Sequence, residues 1–395
     1  MTTPRPTKGR VIVFGLLFGY PLAGVTYQFL HYLIALRRLG YDPYYVEDSG
    51  RWVYDPWLHD ASRDASRNVN AVAPVLAAHG FGDRWAFRGR YPDAHAQRYG
   101  LSDARLAALF READAFLNVT GSQEIHEEHL QCPRRVYIES DPFAAQVRLA
   151  QGDAYLAAQL ALHDTHFSFG ENIGAPDCDV PTGPVRWLPT RQPVVLDLWD
   201  GPEPAPTAGT AYGTITTWGN RGKDVTFRGE RYYWTKDREF EKYLALPERR
   251  PLPFELAVGA PDDVRRMLEA RGWRTVPALA ISEDVGRYRD FIRGSRGEFT
   301  VARDQYVRPR TGWFSDRSAC YLAAGRPVIT EETGFSKVLP TGRGLFGFDS
   351  MDGVLAALDA IETDHAASCR AAREIAAEYF AAEKVVASLM ARAGL

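Results

Sequence analysis

Cysteine is scarce in this chain. Four residues in 395, Cys132, Cys178, Cys320 and Cys369, are scattered and form no C-x-x-C pair, so buried thiols are expected and a thiolate metal centre is not. Long apolar runs are missing as well. Residues 11–20 and 30–36 are each interrupted by Gly, His or Arg within about ten positions, well under the ~20 that a membrane helix needs. The opening MTTPRPTKGR is polar and has no apolar signal segment, which leads to the expectation of a cytoplasmic protein without a membrane span. Charge of one sign is lacking too: with a formal net charge of −3, 45% apolar and 25% charged residues, bulk electrostatics does not call for nucleic acid. No tandem repeat of 20–50 residues is present, which argues against a solenoid.

Two catalytic signatures are absent. A dinucleotide site wants G-x-G-x-x-G directly after the first strand, but Gly15, Gly19 and Gly24 have the wrong spacing and Pro21 interrupts them, despite the acids Glu47 and Asp48 further on. The run EIHEEH places His126 and His129 three apart with the acids misplaced for H-E-x-x-H, so no metal is expected.

What is present is a regular alternation of strands and helices in a chain long enough for two domains, each with its own core. Residues 11–17 form a continuous apolar run bounded by Gly19 and Pro21, as expected of a parallel strand covered on both faces. Residues 25–39 put Val25, Phe29, Tyr32, Leu33 and Leu36 on one helical stripe, with Arg37 and Arg38 in the last turn and a stop at Gly40. A second strand at residues 44–46 completes a βαβ unit. The first half continues with a helix at 102–112 and strands at 115–119, 135–139 and 165–169. A Pro- and Gly-rich stretch at residues 200–209 reads as a linker. A new α/β series follows: strands at 212–218, 254–258, 273–276 and 298–301, with helices at 261–270 and 285–293. One long helix is expected at residues 372–393.

The most informative stretch is residues 306–335, YVRPRTGWFSDRSACYLAAGRPVITEETGF. It reads as a basic aromatic loop, a helix stopping at Gly325, a strand at 326–330 and a glycine-bearing turn. Guanidinium forks beside a helix N-terminus suit the oxygens of a phosphate ester.

The opening GVTYQFLHYLIALRRLGYDPYYVED, the mid-chain linker, and the late R-[ST]-x-x-x-x-A-x-G-x-P-V-I segment with its TGF turn resemble GT-B glycosyltransferases. The bacterial group that includes spore-maturation glycosyltransferase-like proteins is the nearest in these motifs. The resemblance implies two Rossmann-like α/β domains facing across a cleft. Residues 1–203 would bind the acceptor and residues 204–371 the nucleotide-sugar donor, while residues 372–395 would return as a helix to the first domain. A nucleoside-diphosphate sugar would be co-substrate, with no separate cofactor and no tightly bound metal. In many retaining members two glutamates stand eight positions apart, the second five before the glycine of A-x-G. Counting back from Gly325 puts Gly312 and Cys320 there, and Asp316 is the nearest carboxylate.

A diphosphate leaving group needs its growing negative charge stabilised. Arg221 and Lys223 follow the strand at 212–218, and Arg308, Arg310 and Arg317 form a second basic group; the competing reading is solvated surface charge. Trp313 beside Gly312 and Phe314 would wall the donor pocket or simply pack. Ser315 and Asp316 suit a helix N-cap with ligand contact, and Thr333, Gly334 and Phe335 would offer backbone N–H groups or form an ordinary turn. For a general base, Asp141 and Glu139 in YIESDP come first and Glu124 and His126 second, each equally readable as a cap or a surface group. Tyr20, Tyr27, Tyr44, Tyr45, Trp52, Tyr54 and Trp57 would line an acceptor pocket for a small molecule or surface glycan, or fill the core. Two other classes share the fold: a sugar-nucleotide epimerase, and a nucleotide-sugar-binding protein without catalysis. The sequence sets no oligomeric state.

Overall fold

The computed structural model describes residues 8–91, 97–201, 209–220 and 222–395. In chain order the first half supplies β1 (Arg10–Phe14), β2 (Asp42–Ser49), β3 (Val53–Asp55), β4 (Asp60–Ser62), β5 (Trp85–Gly89), β6 (Arg98–Gly100), β7 (Ala115–Val119), β8 (Arg134–Glu139), β9 (Thr165–Ser168) and β10 (Trp187–Pro189). The second half supplies β11 (Tyr212–Thr217), β12 (Val225–Phe227), β13 (Glu230–Tyr232), β14 (Phe254–Gly259), β15 (Arg274–Pro277), β16 (Gly297–Thr300), β17 (Val328–Glu331) and β18 (Leu345–Phe348). Among the described residues these form one sheet in the order β10-β9-β8-β7-β1-β2-β5-β6 and another in the order β15-β14-β11-β16-β17-β18. Every pairing in both is parallel except β5 with β6. Two-stranded hairpins, β3-β4 and β12-β13, stand apart from them.

The parallel order follows from composition. β1 is RVIVF with four of five residues buried, which only a strand covered on both faces tolerates. The helix Ala23–Arg38 then covers one face with Phe29, Leu30, Tyr32, Leu33 and Leu36, all fully buried. Its end is closed by Gly40 at φ 90°: Gly40 N–H donates to the Arg37 carbonyl and Tyr41 N–H to that of Leu36, satisfying two of the last carbonyls.

The structure departs from the single long terminal helix. A helix His365–Ile375 runs into a π turn, Ala376–Phe380, breaks at Ala381 with φ −51° and ψ 122°, and restarts as Ala382–Arg392. The cause is a competing backbone partner: Val194 N–H donates to the Phe380 carbonyl at 2.7 Å, and Ala382 N–H donates to that of Val194 at 2.9 Å. The restarted helix buries Ala382, Val386, Leu389 and Met390 in the core that also holds Leu30 and Leu33. Residues before the break join Ala319, Cys320 and Tyr321 of the second half. The proposed linker falls largely on residues 202–208, outside the described residues, and with it the 203/204 boundary.

A mixed core closes the two halves on each other. Ala23, Tyr27, Val194 and Trp199 from the first half pack with Tyr288, Ile292, Ala319 and Tyr321 from the second. On another side the β12-β13 hairpin sets Tyr232 and Phe227 against Phe143. Cys132 and Cys320 are buried, Cys178 and Cys369 half-buried, and all four are free thiols. No described helix is long and apolar enough to cross a membrane.

Candidate active site

A cleft of about 1420 Å³ lies between the halves. Its walls come from the segments that follow β1, β2, β7 and β8 on one side and β11, β14, β15 and β16 on the other, all carboxyl ends of parallel strands. Backbone leaves both sheets there in the same direction, which is where open α/β sheets bind ligands.

The second-half wall is cationic. Lys236, at the N-cap of the short helix Asp237–Glu241, is 7% exposed, and its Nζ has no hydrogen-bond or ion-pair partner among the described residues. Burial, with Arg317 and Arg303 nearby, holds its pKa well below the usual lysine value. The Arg303 guanidinium lies 3.8 Å from the Trp234 ring centroid, donates to the Tyr306 hydroxyl at 2.9 Å and stands 3.5 Å from Asp141 Oδ1. Lys223 also reaches the cleft, its Nζ 5.0 Å from the same Trp234 ring. Lys236 and Arg303 were not singled out from sequence; the one signal available was the pairing of a lone lysine with WTKD just ahead of a helix.

The other predicted cations divide. Arg317 lines the cleft but is consumed: Nε donates to Glu298 Oε1 at 2.5 Å, Nη1 to the Ile215 carbonyl at 2.7 Å and Nη2 to Thr300 Oγ1 at 2.9 Å. Arg308 and Arg310 are not on the cleft wall. Arg308 pairs with Asp304 and Glu230 over the Tyr232 ring, and Arg310 pairs with Asp177 at 2.9 Å, because those acids lie nearer than the cleft. Arg221 lies outside the described residues.

The residues around Gly312 build a junction rather than a ligand loop. Gly312 has φ 78°, and a Cβ there would stand 2.4 Å from the Asn172 backbone nitrogen, so no glutamate fits the position. The turn at Thr333–Phe335 uses its polar groups internally. Gly334 N–H donates to Glu332 Oε1 at 2.5 Å, Thr333 Oγ1 to the Trp313 carbonyl at 2.5 Å, and Phe335 packs on Phe314. None of the three lines the cleft. Trp313 does, and it bridges the halves: its ring stacks on Tyr306 at 4.3 Å and its Nε1 donates to the Ser140 carbonyl at 2.9 Å. Ser315 and Asp316 line the cleft at the start of the helix Asp316–Ala323; Ser315 takes the N-cap backbone conformation, yet its side chain makes no cap bond.

Of the four proposed bases only Asp141 reaches the cleft. Its Oδ1 accepts the Tyr306 hydroxyl. Glu139 is buried behind it, accepting from Gln146 Nε2 at 2.5 Å and Ser168 Oγ at 2.7 Å; burial pushes its pKa up to about 8. Glu124 bonds Tyr155 at the surface at 2.5 Å, and His126, with its pKa lowered by burial and Arg90, lies off the cleft. His129 joins Asp48 and Glu128 in the one group of metal-ligand spacing among the described residues, but Arg88 and Arg90 already occupy those carboxylates.

Three further carboxyls line the cleft. Glu47 accepts Phe18 N–H at 2.6 Å, Gly19 N–H at 2.9 Å and the Tyr45 hydroxyl, so the amides after β1 are taken by protein rather than offered to a phosphate. Burial raises Glu47 to about 7. Glu283 accepts Trp57 Nε1 at 2.9 Å and Arg287 at 3.0 Å. Asp316 has, from other residues, one contact, Gln28 Nε2 at 3.4 Å. Burial and the neighbouring Asp141 raise its pKa to about 7. Of the predicted aromatic cluster, Tyr20, Trp52 and Tyr54 rim the first-half wall, Tyr20 stacking on Tyr54 at 5.6 Å, whereas Tyr27, Tyr44 and Tyr45 are buried core residues.

No family model and no curated protein sequence matches the chain. Solved structures do. An alpha-glucosyltransferase in complex with UDP and a 13-mer DNA is similar at a TM-score of 0.59, with 9% identity over 98% of this chain and 100% of that one. The alpha-glucosyltransferase AGT in complex with UDP reaches 0.55, with 9% identity over 98% and 100%. HepE from Anabaena, in complex with UDP and glucose, reaches 0.53, with 10% identity over 98% and 100%. Full-length likeness at such identity speaks for the fold, and together with a cleft between the carboxyl ends of two parallel sheets it makes this chain a GT-B fold of two facing Rossmann-like halves.

Proposed function

We propose that the chain is a glycosyltransferase that moves a sugar from a nucleoside-diphosphate sugar to a hydroxyl of a small molecule or surface glycan. The observation that carries the reading is Lys236: a buried lysine with no hydrogen-bond or ion-pair partner among the described residues, beside Arg303 and Lys223, on the wall of a cleft large enough for a sugar nucleotide. A bound anion of two or more charges favours the protonated amine, and a diphosphate departing there would have its growing charge met by Lys236 together with Arg303 and Lys223. The second half is then the donor side and the rim of Tyr20, Trp52 and Tyr54 the acceptor side. The solved structures that share the fold and hold UDP support a sugar-nucleotide reading of the cleft. Within the fold, the A-x-G-x-P-V-I and TGF segments favour the spore-maturation glycosyltransferase-like group, working in the cytoplasm without a tightly bound metal.

Screening UDP, GDP, TDP and ADP by thermal shift tests the reading, because a ligand selective for the native state raises apparent stability by mass action. One of the four is expected to raise Tm, and its glucose ester to release that diphosphate in the presence of the protein. No shift with any of the four would contradict the reading.

A further inference from the structure

Four carboxyl side chains line the cleft, and three are spoken for. Both oxygens of Glu47 accept backbone N–H groups, both oxygens of Glu283 accept nitrogen donors, and Asp141 accepts the Tyr306 hydroxyl while facing Arg303. Asp316 differs: beyond its own backbone amide it has one weak contact, Gln28 at 3.4 Å, and it lines the cleft. It is also placed where the two walls meet, at the first turn of a second-half helix and against the first-half helix that carries Gln28. Resting on the glycosyltransferase reading, we propose that Asp316 is the proton acceptor for the incoming hydroxyl. The acceptor O–H proton passes to the Asp316 carboxylate as its oxygen bonds the anomeric carbon. The bond from that carbon to the diphosphate oxygen breaks, its electron pair leaving on the diphosphate beside Lys236 and Arg303. The proton then returns to solvent.

The surroundings fit this use. The neighbouring Asp141 raises the proton affinity of Asp316, and Arg317 on the same helix opposes it; Tyr32 and Cys320 are the other titratable groups facing it. A base titrating near neutral pH combines an available carboxylate with useful proton affinity. The rival lining group is His59, exposed in the β3-β4 turn.

The test uses the full chain, the diphosphate found by thermal shift and its glucose ester, with water or an added alcohol as acceptor. Asp316→Asn is expected to bind the diphosphate within about threefold of wild type, to lose about 10²–10⁴-fold in turnover, and to lose the fall in kcat/KM below about pH 7. Asp316→Ala is expected to regain turnover in sodium formate. Turnover unchanged in Asp316→Asn, an acidic limb that survives there but vanishes in His59→Gln, loss of diphosphate binding in both variants, or a wild-type protein that binds the diphosphate and releases none from the ester would each overturn the proposal. A wild-type protein that binds none of the four diphosphates instead overturns the glycosyltransferase reading on which it rests.

Discussion

Lys236 is buried on the cleft wall, and burial there favours the neutral amine, so an anion bound beside it would draw a proton back onto it. Glu139 shows the complementary case. Its carboxyl is buried behind Asp141 and, with a pKa raised to about 8, is largely protonated in the folded chain at neutral pH, while the unfolded chain loses that proton near 4.5. The folded state therefore binds the extra proton between those values. Its contribution is fully present below about pH 4.5 and is lost as pH rises through about 8. Glu139→Gln keeps an acceptor for Gln146 and Ser168 but has no proton to lose. Urea unfolding at pH 5 and pH 8 is expected to show wild type losing more stability across that interval than the variant; equal losses would remove Glu139 as a source. Residue chemistry of this kind was only partly legible. Asp141 and Lys223, expected after strands, and Trp313, Ser315 and Asp316, expected at a loop and helix start, do line the cleft. Arg308 and Arg310 misled because Asp304, Glu230 and Asp177, which neutralise them, are brought near by folding or sit in unremarkable loops.

Elements were easier to read where hydrophobic period and a stop signal coincide. β1, the helix Ala23–Arg38 and β2 are the clearest example, because an apolar run, a helical stripe and Gly40 all agree. The break at Ala381 was not legible, since Ile375, Phe380, Val385 and Leu389 keep an apolar pattern through it and the partner that breaks the helix is the distant Val194. Gly312 belongs at this scale as well. Its φ of 78° and the Asn172 backbone at 2.4 Å from a built Cβ fix the loop that leads into the helix Asp316–Ala323. Gly312→Ala is expected to destabilise the fold by at least the ~1–3 kcal/mol of a left-handed non-glycine residue, read as a lower urea midpoint. A midpoint equal to wild type would show that the junction yields.

At the scale of the whole molecule, the two sheets are not independent lobes. Tyr27 and Tyr288 share one apolar core across the boundary, Trp313 donates to Ser140, and the terminal helix Ala382–Arg392 returns to the first half. One calorimetric transition is expected, with van't Hoff and calorimetric enthalpies equal; two separable transitions would show that the halves unfold apart. The overall architecture was legible because alternating strands and helices with parallel-strand composition leave few topologies. The degree of closure was not, since it depends on contacts such as Trp57 with Glu283 and Tyr306 with Asp141 that join residues more than 160 positions apart.

A diphosphate held by Lys236 in the cleft would make its affinity depend on that side chain. Titration calorimetry of the selected nucleoside diphosphate against wild type, Lys236→Ala and Arg310→Ala tests it most directly. Loss of a charge-assisted contact worth about 1.5–3 kcal/mol predicts a Kd roughly 10- to 150-fold weaker for Lys236→Ala and unchanged within twofold for Arg310→Ala. Equal affinity in wild type and Lys236→Ala, or a loss confined to Arg310→Ala, would contradict it.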